Sequence, residues 1–142
     1  GTRKKNRADA IKAAKKQVAF AKLKNCPSSP RKMRLVANLV RGVEVNKALQ
    51  ILKFNTKHAS ANIEKLVLSA VANWQAKNEG VSLEEANLFI KEISVDCGST
   101  LKRLRPAPQG RGHRIRKRSN HVTVVLEAPP INQQKPSKQW DR

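Results

Sequence analysis

The stretch D-C-G-S-T-L-K-R-L-R-P-A-P-Q-G-R-G-H-R-I-R-K-R-S-N-H-V-T-V-V-L-E, Asp96 to Glu127, decides the fold. Apolar residues alternate at both of its ends. Phe89, Ile93 and Val95 lead into it on a strand from about 88 to 96, and Val122, Val124 and Leu126 close it, with Thr123 and Val125 behind. A period of two marks strands with one face on a core. Setting Val95 opposite Val122 and Ile93 opposite Val124 pairs the apolar faces antiparallel. That register carries outward to a turn at Pro108-Gln109. Pro108 suits the first central turn position and Gly110 a following left-handed residue, which predicts a hairpin loop with a G1 bulge.

A strand from Ile93 to about Ala107 spans roughly 45 to 50 Å at ~3.3 Å per residue, against a radius of gyration near ~13 Å for a domain of ~100 residues. The hairpin must therefore leave the body. Between Asp96 and Glu127 there is no acid, while Lys102, Arg103, Arg105, Arg111, Arg114, Arg116, Lys117 and Arg118 crowd the middle. The extrapolated register sets Arg103 opposite Arg114 and Arg105 opposite Gly112, and opposed like charges destabilise a hairpin. Phosphate would remove that penalty and give each guanidinium a bidentate acceptor. A merely solvating charged face would mix acids among its cations.

Upstream, Ser29-Pro30 predicts a helix start, since Ser is a preferred N-cap and Pro at the first helical position loses no hydrogen bond. Met33, Val36, Leu39 and Val40 recur at helical spacing and Gly42 closes the helix. A shorter helix follows at about 45 to 54, with Val45, Ala48, Leu49 and Leu52 as its stripe. The longest opens at Asn55-Thr56 and ends near Gly80, with Ala59, Ile63, Leu66, Val67, Ala70, Val71 and Trp74 on one face. Trp74 on that stripe reads as core, not as a base-stacking platform. Between Gln17 and Lys24 a short strand is expected, with Val18, Phe20 and Leu23 alternating. Residues 1–16 read as a basic N-terminal arm, 17–127 as a single domain that includes the extended hairpin 93–125, and 128–142 as an irregular tail.

The chain of 142 residues holds 30 Lys plus Arg against 10 Asp plus Glu, a formal net charge of +20 at pH 7. Such an excess repels itself, and nucleic acid is the commonest polyanion that neutralises it. No window approaches the ~18 consecutive apolar residues of a membrane span, and no apolar stretch follows the positive charges near the N-terminus. A cytoplasmic protein with no membrane partner is expected. Cys26 and Cys97 form no C-x-x-C pair, and no cofactor or metal is expected. No histidine has a partner at catalytic spacing, and Glu84-Glu85 reads as a pair of surface acids. The expectation is a binding protein, not an enzyme.

Two stretches carry a family resemblance: S-P-R-K-M-R-L-V-A-N-L-V-R-G, Ser29 to Gly42, with the A-L-x-I-L-x-F of Ala48 to Phe54, and the run from Leu101 to Val125. In both, the chain resembles the large-subunit ribosomal protein of the L-twenty-two family, bacterial type. The resemblance implies an α+β fold, three helices packed on a three-stranded antiparallel sheet with a long protruding basic β-hairpin. It implies a body near the mouth of the peptide exit tunnel, among neighbouring large-subunit ribosomal proteins. The hairpin is implied to penetrate large-subunit ribosomal RNA, supporting its assembly, and to line the tunnel, where its tip meets the nascent peptide.

Lys102, Arg103, Arg111, Arg114, Lys117 and Arg118 match basic positions of the family hairpin, with Arg105 and Arg116 flanking them, and Arg31, Lys32 and Arg34 match the start of its first helix. All are RNA-contact candidates. Pro106, Ala107, Pro108, Gln109, Gly110, Arg111, Gly112 and His113 are the candidate tip. Here the chain departs from the usual P-R-A-x-G-R-A, so position 107 supplies no guanidinium. The usual D-E-G-P at the base of the arm reads Asp96-Cys97-Gly98-Ser99, and Trp74 stands where a small residue is usual. The rival reading is a DNA-bending architectural protein with a basic arm, which a competition between duplex DNA and ribosomal RNA fragments separates.

Overall fold

In a computed structural model, described for residues 1–79, 81–82 and 86–129, the chain runs α1 (Thr2–Gln17), β1 (Ala19–Cys26), α2 (Pro30–Val40), α3 (Val45–Phe54), α4 (His58–Lys77), β2 (Phe89–Ala107), a 3₁₀ turn (Pro108–Gly110) and β3 (Arg111–Glu127). The strands form one antiparallel sheet in the order β1-β3-β2. α4 packs on β1 and β3, α2 on β2 and β3, and α3 on both helices. The fold is α+β, as expected, with a fourth helix at the basic N-terminus. Glu84, Glu85 and positions 130–142 lie outside the described residues.

The helix readings rest on sound local chemistry. Pro30 holds the first position of α2 with Ser29 as N-cap, although the Ser29 side chain makes no capping bond. Gly42 closes that segment at φ 73°, and its N–H donates to the Ile90 carbonyl. The α4 stripe is buried as read, Trp74 included. On α2, however, Ala37 is buried and Leu39 is exposed, because the sheet covers the face one position round from the one expected. On α3, Leu49 is only half-buried.

Three strand readings are corrected by packing. On β1 the buried residues are Ala19, Ala21 and Cys26, whereas Val18 and Phe20 are exposed. α4 lies against this strand, and methyl side chains let helix and sheet approach closely. Phe20 instead turns outward, with the Lys22 and Lys77 ammonium groups 5.9 and 5.8 Å from its ring centre. On β2 a register shift between Ile90 and Glu92 puts Ile90 in the core with Ile93, and leaves Phe89 half-buried. A bulge re-aims side chains by one position, so strict alternation fails across it.

A second register shift on β2 matters most for function. Val95 pairs with Val122 and Ile93 with Val124, as the apolar faces require, but the register shifts again between Cys97 and Thr100. Gly98 and Ser99 together oppose Ser119, so beyond them Arg103 faces Ile115 and Arg105 faces His113, where uninterrupted pairing would give Arg114 and Gly112.

Both edges of the sheet are covered by side-chain donors from helices. On the β2 edge, Arg41 Nη2 donates to the Ile93 carbonyl at 3.0 Å, and Arg34 Nε and Nη2 donate to the Val95 carbonyl at 3.3 and 3.0 Å. On the β1 side, Lys77 Nζ donates to the Val18 carbonyl at 2.7 Å and Asn73 Nδ2 to the Phe20 carbonyl at 3.0 Å. An uncovered edge would template pairing with another chain. The cover stops at Val95, which is where the hairpin leaves the core.

Candidate nucleic-acid interface

Val95 on β2 and Asn120 on β3 are the outermost buried residues of the paired strands, and nothing between them in sequence is buried. Cys97 to Ala107 covers about 33 Å at ~3.3 Å per residue, so the arm is long compared with the body it leaves. Asn120 anchors its base: Nδ2 donates to the Ser28 carbonyl at 2.7 Å, tying β3 to the turn before α2. Next to it, Ser119 Oγ donates to the Ser99 carbonyl at 2.6 Å across the bulge. Space is tight at Gly98, where a Cβ would come within 2.6 Å of Ser119 Oγ and 3.2 Å of its carbonyl carbon.

The bulge sorts the cations onto two faces. Directly opposed residues share a face, and alternate residues along a strand share it too. Lys102 pairs with Arg116, Thr100 with Arg118 and Leu104 with Arg114, which puts Lys102, Arg114, Arg116 and Arg118 on one side. Arg103 pairs with Ile115, Leu101 with Lys117, Arg105 with His113 and Ala107 with Arg111, which puts Arg103, Arg105, Arg111 and Lys117 on the other. All eight side chains are exposed, and none has an ion-pair partner among the described residues.

This pairing exchanges one opposition of like charges for another, Lys102 with Arg116 in place of Arg103 with Arg114. Leu101, Leu104 and Ile115 each stand opposite a cation, and the directly opposed like charges are Lys102 and Arg116. Leu101 and Leu104 interrupt an otherwise polar run. Leu104 is 75% exposed and Leu101 55%, and Leu104 Cδ2 lies 3.7 Å from where a Cβ on Gly112 would be. An arm in water gains nothing from such exposure, whereas a contact surface does.

At the tip, Pro108-Gln109-Gly110 forms the three-residue loop between the paired Ala107 and Arg111. Gly110 is left-handed at φ 66°, as read from the sequence, and Gln109 shares that region at φ 62°. Pro106, Gln109, Gly112 and His113 are exposed there. On the body, Arg31 and Lys32 are exposed in the first turn of α2, close to the arm base through the Ser28–Asn120 bond. They extend the cationic surface from the arm onto the body. Arg34 does not belong to that set in the same way, because its guanidinium is engaged by the Val95 carbonyl.

Of the two thiols, Cys97 is exposed at the arm base and Cys26 is buried, which pushes the Cys26 pKa up by desolvation. No helix among the described residues is long and apolar enough to cross a membrane.

An α+β body that carries an acid-free hairpin with unpaired cations on both faces defines a class: a basic structural protein built to hold a polyanion. The sequence profile described as ribosomal protein L22p/L17e matches residues 21–127, which is most of the chain. The chain is 73% identical over 128 residues to the large ribosomal subunit protein uL22 of Christiangramia forsetii, covering 90% of this chain and 95% of that one. It is 69% identical over 126 residues to the uL22 of Flavobacterium psychrophilum, covering 89% and 92%, and 65% identical over 127 residues to that of Porphyromonas gingivalis, covering 89% and 94%. The chain belongs to the L22p/L17e family of ribosomal proteins, which are structural components and not enzymes. The resemblance carried by Ser29–Gly42 and Leu101–Val125 is thereby borne out.

Proposed function

We propose that this chain grips large-subunit ribosomal RNA with its hairpin, supports the folding of that RNA during assembly, and lines the nascent-peptide exit tunnel with its tip. As a member of its family it is a structural constituent of the large ribosomal subunit, in the cytoplasm, associated with ribosomal RNA and neighbouring ribosomal proteins. The observation that carries the RNA reading is the placement of unpaired cations on both faces of the arm. A protein lying on a nucleic-acid surface needs cations on one face. An arm cationic on both is suited to being enclosed by phosphate.

Arg103, Arg105, Arg111 and Lys117 contact phosphates on one side, and Lys102, Arg114, Arg116 and Arg118 on the other, with Arg31 and Lys32 adding contacts at the base. Guanidinium groups supply paired donors to each phosphate, and recognition is by shape and charge. The tip, Pro106 to His113, is left to the tunnel wall and the nascent peptide. A photo-cross-linking side chain at Gln109 in assembled subunits tests this reading. Cross-links to large-subunit ribosomal RNA and to a stalled nascent peptide are expected, and capture of neither would contradict it.

A further inference from the structure

The helix α1, Thr2–Gln17, lies outside the hairpin. It precedes the matched family segment, which begins at residue 21, and every described side chain from Gly1 to Ala13 is exposed. It carries Arg3, Lys4, Lys5, Arg7, Lys12, Lys15 and Lys16 against the single acid Asp9. Its own charges oppose the helix. Arg3 and Arg7 are four residues apart, and like charges at that spacing destabilise a helix. No acid lies in the first turn, where Arg3, Lys4 and Lys5 meet the positive end of the helix dipole. Through Ala13, where every described side chain is exposed, little but local propensity supports the helix, and short isolated helices are marginal in water.

We infer that α1 is a second RNA-binding element, a basic helix that seats in a groove of folded ribosomal RNA separate from the RNA held by the hairpin. Charge complementarity chooses the occupant. At ~100° per residue, Arg3, Lys4, Lys5, Arg7 and Lys12 spread round more than half the circumference, leaving no apolar stripe for a protein groove or a bilayer. Ile11, 47% exposed, is the one large apolar side chain in the helix, and an interfacial membrane helix needs a continuous apolar face. Phosphates on both walls of a groove match a helix charged on most of its sides.

The topology shows why this contact is distinct from the arm's. α1 joins β1 through Val18 alone, and Ala19 pairs with Leu126 at the far end of β3, whereas the hairpin tip lies at the beginning of β3. The two cationic elements therefore leave opposite ends of the sheet. Lys77 and Asn73 hold the carbonyls of Val18 and Phe20, fixing the junction to α4. A rigid body with one cationic element at each end bridges two RNA segments, and each contact raises the effective concentration of the other.

The inference rests on the ribosomal-RNA reading of the hairpin, so its test separates the two. In the full chain, Arg3, Lys4, Lys5, Arg7 and Lys12 are replaced by Gln, which keeps helix propensity and removes charge. Binding to large-subunit ribosomal RNA fragments is then measured against salt concentration. A flattening of the log–log slope by about 2 to 3.5 is expected, at ~0.7 per phosphate no longer neutralised, with the melting temperature unchanged. The same loss should add to that of an Arg103, Arg114 and Lys117 to Ala variant. An unchanged slope with the helix variant but a flattened one with the hairpin variant overturns this inference alone. Unchanged slopes with both overturn the RNA reading itself. Loss of binding to phosphatidylserine vesicles, with the RNA slope unaltered, would assign α1 to a membrane surface and also overturn it.

Discussion

Arg34 and Val95 are joined by a two-pronged hydrogen bond, Nε and Nη2 of the guanidinium donating to one backbone carbonyl at 3.3 and 3.0 Å. Val95 is the outermost buried residue of β2, so this contact covers the sheet edge at the point where the hairpin leaves the core. Matching the family pattern placed Arg34 with Arg31 and Lys32 as an RNA contact. The geometry gives it a different first duty, holding the root of the arm.

Arg34→Ala should therefore destabilise the free protein by on the order of 1 kcal/mol, less than the ~1.5–3 kcal/mol of a buried charge-assisted bond because the side chain is largely exposed. Arg31→Ala and Lys32→Ala, which have no ion-pair partner among the described residues, should stay within about 0.5 kcal/mol of the parent. Urea midpoints measure all three. Equal, small effects across the set would remove Arg34 from the edge-covering role.

Gly98→Ala should disturb the arm base, since the new methyl group meets Ser119 Oγ at 2.6 Å, the Ser119 carbonyl carbon at 3.2 Å and the Asn120 nitrogen at 3.3 Å. Overpacking of this kind costs about 1 to 3 kcal/mol. Removing the closest atom by Ser119→Ala in the same chain should recover part of the loss. A double-mutant cycle read by thermal unfolding gives the coupling, and strict additivity would show that the two positions do not meet.

The thiols should differ in reactivity. Cys97 is exposed, while Cys26 is buried and its pKa is raised by desolvation, so at neutral pH less of it is the reactive thiolate. The native protein should give one fast equivalent with a thiol reagent and a second only after denaturant is added. Raising the pH toward the elevated Cys26 pKa increases its thiolate fraction without opening the core, so Cys26 should remain the slower of the two. Prompt modification of both would mean that the β1 end is open.

Much of this was legible from residue order. The antiparallel pairing of Val95 with Val122 followed from apolar alternation, the start of α2 from Ser29-Pro30, and the left-handed Gly110 from turn chemistry. What the order of residues hid was each place where a backbone irregularity or a close neighbour overrides periodicity. The bulge at Gly98–Ser99 shifts every later pair by one, and a lone glycine in a strand is only a weak signal for it. The shift at Lys91 exchanges Phe89 for Ile90 in the core. Ala19 and Ala21 displace Val18 and Phe20 because α4 presses on β1, a tertiary fact with no local mark.

For the site, the cationic run was plain, but its division between two faces was not. That division depends on the register beyond the bulge, which also exchanges the expected Arg103–Arg114 opposition for Arg103 with Ile115.

Neutralisation of ribosomal RNA phosphates by the hairpin cations is read from the salt dependence of binding. Arg103 and Lys117 lie on one face of the arm and Arg114 on the other, so replacing all three by alanine samples both. With large-subunit ribosomal RNA fragments, the log–log slope against salt should flatten by up to about 2, at ~0.7 per phosphate, and affinity should fall while the urea midpoint stays near that of the parent. An unchanged slope and affinity in a folded triple variant would contradict the account.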